Sequence, residues 1–138
     1  MSKIFQRIAA IVSTTAIIAA STSVSASADK FAEFNDVRLG NYIMSGSLDG
    51  SCYGGYAWTR CNQKIYFIGA SVEGYYVGDD GTIYDLKKRS DERNNSDKAY
   101  AFVGGQSPLG LRTGSFWSCH EIRTAEDGIA RYLATIDV

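Results

Sequence analysis

Two short connections constrain this chain more than any other feature. Gly78-Asp79-Asp80-Gly81 lies within "GYYVGDDGTIYDL", and Ala125-Glu126-Asp127-Gly128 lies within "HEIRTAEDGIARYLATI". Each ends in Asp-Gly between two β-prone arms. A glycine there can take the left-handed conformation that closes a hairpin, and the aspartate can hydrogen-bond the local backbone. Both are read as β-hairpins. The second has a rival. Thr124 could cap a helix with Asp127 at its third position, and Ile129, Leu133 and Ile136 recur at helical spacing. Gly128 in that first turn would cost about 1 kcal/mol relative to alanine. The β-branched ending Thr135-Ile136-Asp137-Val138 also suits a strand, so the hairpin is favoured.

The rest of the chain follows the same pattern. Short apolar runs rich in tyrosine and β-branched residues alternate with glycine-containing turns, and the chain has one proline. Strands are predicted at Gly40–Met44, Ala57–Thr59, Lys64–Ala70, Gly74–Val77, Thr82–Leu86, Ala99–Val103, Ser115–Ile122 and Ile129–Ile136. Ser45–Gly55 and Gly104–Gly114 read as glycine-rich loops. The stretch 87–98, "KKRSDERNNSDK", has no apolar member and reads as an exposed polar loop. The expected fold class is all-β, mainly antiparallel: a small single-domain sandwich or barrel built from hairpins.

The N-terminus predicts export. Lys3 and Arg7 precede an apolar run from Ile8 to Ala20, and Ala26-Ser27-Ala28 has the small-x-small form of a cleavage signal. Residues 1–28 are therefore expected to be a secretory signal peptide, with 29–138 as one β-rich domain in a secreted or periplasmic protein. No other segment approaches the roughly 18 apolar residues of a membrane-spanning helix. Lys3 and Arg7 would leave with the leader. The 14 basic and 15 acidic residues of the chain would become 12 and 15, a net charge near −3. That balance argues against broad attraction to nucleic acid.

Export makes a disulfide the default for Cys52, Cys61 and Cys119. The separation of Cys52 and Cys61 suits a cross-strand pair in a hairpin. That bridge is favoured over Cys52–Cys119 and Cys61–Cys119. An odd count leaves one thiol over, through which a covalent dimer could form.

The richest cluster of reactive letters is "SFWSCHEIR", Ser115–Arg123. In a strand, neighbouring side chains point to opposite faces. Trp117, Cys119 and Glu121 then share one face, and Phe116, Ser118, His120 and Ile122 share the other. Cys119 and His120 cannot act as a nucleophile–base pair with each other. One histidine in the chain also makes a His-rich zinc site improbable. Asp79, Asp80 and Asp85 lack the spacing of a calcium loop, and turn chemistry accounts for the first two. No cofactor motif is present, since Gly104-Gly105 and Gly110 lack a strand–turn–helix context.

The aromatics suggest recognition instead. Tyr53, Tyr56, Trp58 and Arg60 lie in "CYGGYAWTRC", and tyrosine and tryptophan give rigid contact area with a polar tip. The favoured reading is a secreted, non-enzymatic binding protein acting by surface recognition: an inhibitor, a toxin subunit or an interaction module. Its partner would be a protein or a carbohydrate. The alternative is a small secreted ribonuclease-like hydrolase. It would use His120 with a carboxylate such as Glu73, and Arg123 for phosphate. Lys87-Lys88-Arg89 is a candidate processing site, and Asn94-Asn95-Ser96 matches a glycosylation acceptor.

Overall fold

The computed structural model describes residues 16–21, 30–51, 54–78, 80–104 and 113–138. The strands in chain order are β1 (Ala16–Ser21), β2 (Lys30–Leu39), β3 (Tyr42–Ser51), β4 (Gly54–Val77), β5 (Ile83–Gly104), β6 (Thr113–Arg123) and β7 (Ile129–Asp137). No helix occurs among the described residues. Strands β2 to β7 pair antiparallel and wrap into a nearly closed barrel. The wrap brings β2 against β7: Phe34 stacks on Tyr132 at 4.0 Å, and Leu39 lies beside Gly128. β1 pairs parallel to β7, Ala16 to Ala130 through Ser21 to Thr135. It falls inside the expected leader, whose removal would leave that edge of β7 unpaired.

The long strand β4 organises the fold. Its first arm, Gly54–Cys61, pairs with β3, and its second, Phe67–Val77, pairs with β6. β5 follows both arms on the opposite edge. Arg60 pairs with Lys98 but Ile65 with Ser96, so β4 carries surplus residues at this point. Such a bulge bends a strand and increases its twist. Asn95 on β5, beside the same corner, takes a left-handed φ of 51°. The bulge also inverts the alternation. Ala57, Thr59 and Cys61 face inward before the corner, and Ile68, Ala70, Val72 and Tyr76 face inward after it. Two apolar faces thus meet across the barrel.

The two hairpins form as expected. In the first, Gly78 N–H donates to the Thr82 carbonyl, and Asp80 Oδ1 accepts from Thr82 N–H at 2.9 Å. Gly81 takes the left-handed φ of 79°. Asp79 lies outside the described residues. The second connection joins β6 to β7, so the strand reading of 129–137 holds and the helix does not form. There the left-handed position belongs to Asp127, φ 63°, and not to the glycine.

Several expectations need correction. Residues 87–98 are not a loop. They lie within β5 and pair through much of their length with Ile65–Val72. An edge strand exposed to water on both faces needs no apolar side, and its charges discourage pairing with another chain. Ser45–Gly55 is mostly strand as well. Its glycines serve close packing, not turns. The three predicted strands between Ala57 and Val77 are one continuous β4, and β2 was not predicted. Residues 105–112 of the second predicted loop lie outside the described residues.

The Cys52–Cys61 bridge is also corrected. Cys61 and Cys119 both carry free thiols. Gly54–Cys61 is a single extended arm, so Cys61 stands about 20 Å from Gly54 at roughly 3.3 Å per residue. Cys52, which lies outside the described residues, is only two residues before Gly54.

The core joins the two arms through Phe116, which is fully buried. A Cβ on Gly55 would stand 2.5 Å from its ring, on Gly74 2.4 Å, and on Gly50 2.9 Å. Three glycines, one on β3 and one on each arm of β4, therefore give up side chains to seat one ring. At Gly55 the crowding atoms all belong to that ring. Gly55→Ala is expected to destabilise the fold by about 1–3 kcal/mol, the usual cost of overpacking. In a Phe116→Leu background the same alanine should cost clearly less. Urea unfolding of the four species checks this as a double-mutant cycle.

Candidate functional site

The outer face of the β2–β3–β4–β5 quarter carries an aromatic surface. Strand register places Phe31, Asp49, Tyr56 and Phe102 in one row across four strands. The next row holds Glu33, Ser47, Trp58 and Tyr100. Phe31 is 65% exposed and Phe102 56%, so neighbouring rings of one row face solvent together. The inward partners on β5 are Ala99, Ala101 and Val103, so small residues face the core and aromatics face solvent.

Contacts between these side chains fix their orientation. Tyr56 and Tyr100 lie nearly parallel, 14° apart, at 6.3 Å between centroids. The Arg60 guanidinium sits 5.0 Å over the Trp58 ring. Ser47 Oγ donates to Asp49 at 2.6 Å beneath the row. Burial pushes the Tyr56 hydroxyl pKa up, with Tyr100 and Asp49 adding to it and Arg60 opposing, so it remains a proton donor. A shallow cavity of about 360 Å³ opens between Phe31, Tyr56 and Phe102, over Asp49 and Gly54. Gly54 has a φ of 145°, and a Cβ there would stand 2.2 Å from the Val103 carbonyl. Any other residue would force the two strands apart at the cavity floor.

Of the sequence-predicted binding residues, the structure brings Tyr56, Trp58 and Arg60 onto this face. Tyr53 lies outside the described residues. Sequence reasoning missed Phe31, Tyr100 and Phe102. The signal for the last two was available in "AYAFV", where alanine alternates with an aromatic. Its register against "GYAWTR" was not.

The alternative catalytic set does not assemble. His120 faces inward and is fully buried, while Glu73, opposite Trp117, and Arg123 belong to the outward face. Thr59 Oγ1 donates to the Gly69 carbonyl at 2.9 Å and accepts from His120 Nδ1–H at 2.9 Å. Ser118 Oγ donates to Nε2 at 2.7 Å. Those directions are assigned from the network and require the Nδ1–H tautomer. Phe34 packs edge-on at 4.8 Å. Burial lowers the His120 pKa from 6.5 to about 4, with a hydrogen bond to the Trp58 backbone opposing. The imidazole thus ties Thr59 on the first arm of β4 to Ser118 on β6. Among the described residues, no three of His, Cys, Asp and Glu converge as metal ligands would.

No protein-family model matches this chain, and no curated protein sequence matches it.

The buried imidazole gives a testable pH dependence. Its folded pKa lies below the unfolded value, so the unfolded chain binds the extra proton between pH 6.5 and about 4. Stability from this group is full above pH 6.5 and falls as pH drops through that window. The loss should be on the order of 3 kcal/mol by pH 4. His120→Gln should show a smaller loss over the same range. Urea midpoints at pH 7 and pH 4.5 measure both.

Proposed function

We propose that this is a secreted, non-enzymatic binding protein that recognises a protein or carbohydrate partner through its exposed aromatic face. The observation that carries the reading is the outward row of Phe31, Tyr56 and Phe102 beside Trp58 and Tyr100. Rigid rings on paired strands lose little conformational entropy on binding. Their flat apolar surfaces suit stacking on a sugar ring or packing against a partner side chain. Tyr56, Asp49 and Arg60 add hydrogen-bonding and charged groups at the rim, which favour one orientation of the bound partner. Secretion rests on the leader pattern at residues 1–28. An inhibitor, a toxin subunit or an interaction module would each use such a surface.

The hydrolase alternative has no geometric support. A general acid must reach its substrate, and His120 is enclosed between Thr59, Ser118 and Phe34.

The test uses the exported protein against two partner classes: immobilised polysaccharides, and proteins of the medium into which it is released. Trp58→Ala and Phe102→Ala should each weaken binding about tenfold or more, as central aromatic anchors do. His120→Gln should bind like the parent. Parent-like binding by both aromatic variants would remove this face from the account.

A further inference from the structure

A second site lies on the outer face of the other arm. Glu121 is 7% exposed, and both its oxygens are taken. Oε1 accepts from Arg123 Nε, and Oε2 accepts from Arg131 Nε. The Arg123 guanidinium also stacks on Phe67, 4.7 Å from the ring centroid. Each arginine is therefore held by its inner nitrogen and, for Arg123, by its face. Among the described residues neither guanidinium pairs with any other carboxylate. The arginine side chains are 45% and 40% exposed, so their terminal N–H groups remain available to a ligand.

These groups line a cavity of about 420 Å³ with Lys88, Ser71, Ser90, Glu92 and Cys119. Gly69 forms part of its wall. It pairs with Glu121 on one side and Glu92 on the other, and supplies no side chain to fill the space. Three cations face two carboxylates, and each oxygen of Glu121 already accepts from an arginine, so the lining carries a net positive charge. Burial, and then Glu121, push the Cys119 thiol pKa up, against the pull of Arg131 and Lys88.

We infer that the Arg123–Glu121–Arg131 triad with Lys88 is a binding site for a tetrahedral oxyanion, a phosphate or sulfate group. Pre-oriented guanidinium forks are the preferred partners of such groups, because they present paired donors at fixed spacing. Glu121 acts as the positioning residue. It neutralises one charge and holds both forks in place, which lowers the entropy lost when the anion binds. The cavity is larger than a bare oxyanion needs, so the group would be carried on a larger molecule. This site stands apart from the aromatic face and does not depend on its role.

The test is an amide-resolved NMR titration with inorganic phosphate, with sulfate and with acetate, at ionic strength matched by chloride. Phosphate or sulfate should give saturable shifts at Gly69, Cys119 and Arg131, and the stronger of the two names the source. Acetate should bind more weakly. The Arg123→Gln/Arg131→Gln pair should weaken binding about tenfold or more. Gly69→Ala keeps every charge, and its methyl would meet only the Phe67 ring below 3.4 Å. It too should weaken binding by partly filling the wall, and it guards against misfolding of the double variant. Shifts that stay linear to roughly 100 mM, the regime of nonspecific screening, would overturn the proposal. So would shifts that spread over all surface lysines, or that are unchanged in both variants.

Discussion

The ring of Phe116 sits where Gly50, Gly55 and Gly74 leave room for it, and this contact sets the distance between the two arms of the sheet. A wider gap would leave the ring without partners. A side chain on any of the three would push the strands apart. Everything else in the interior is placed relative to this contact. Tyr76 meets Phe116 edge-on at 5.5 Å, and His120 bridges from Ser118 on β6 to Thr59 on β4. The neutral imidazole is a polar tie in an apolar core. It is affordable because both ring nitrogens have partners.

Alternation then gives the outside its two chemistries. On β6, inward Phe116, Ser118 and His120 force Trp117, Cys119, Glu121 and Arg123 outward. On β4 the bulge at Arg60–Ile65 lets one strand serve two arms with opposite parity. Tyr56 and Trp58 face out on the first arm, and Phe67 and Ser71 on the second. The aromatic face and the arginine pair are thus consequences of the same core.

Strand type and hairpin positions were legible in the sequence, because Asp-Gly turns and period-two patterns are local signals. The separation of His120 from Cys119 and Glu121 was legible too, for the same reason. The polar stretch 87–98 was misread because an edge strand with no buried face carries no hydrophobic alternation. The aromatic row was half visible. Tyr56, Trp58 and Arg60 shared parity, but Phe31 and Phe102 joined them only through register set by long-range pairing. The pairing of Arg131 with Glu121 follows from the local β6–β7 hairpin, but Phe67 and Lys88 join them only through pairing with β4 and β5. The disulfide failed because sequence proximity suggested a turn where the chain runs straight.

Hydroxyl-radical labelling with residue-level mass spectrometry tests most directly which side chains the fold turns inward. Phe31, Tyr56 and Phe102 should label rapidly, while Phe116, Tyr76 and His120 stay protected in the native protein. Labelling of His120 or Phe116 at the rate of Phe102 would contradict the parity on which both proposed sites rest.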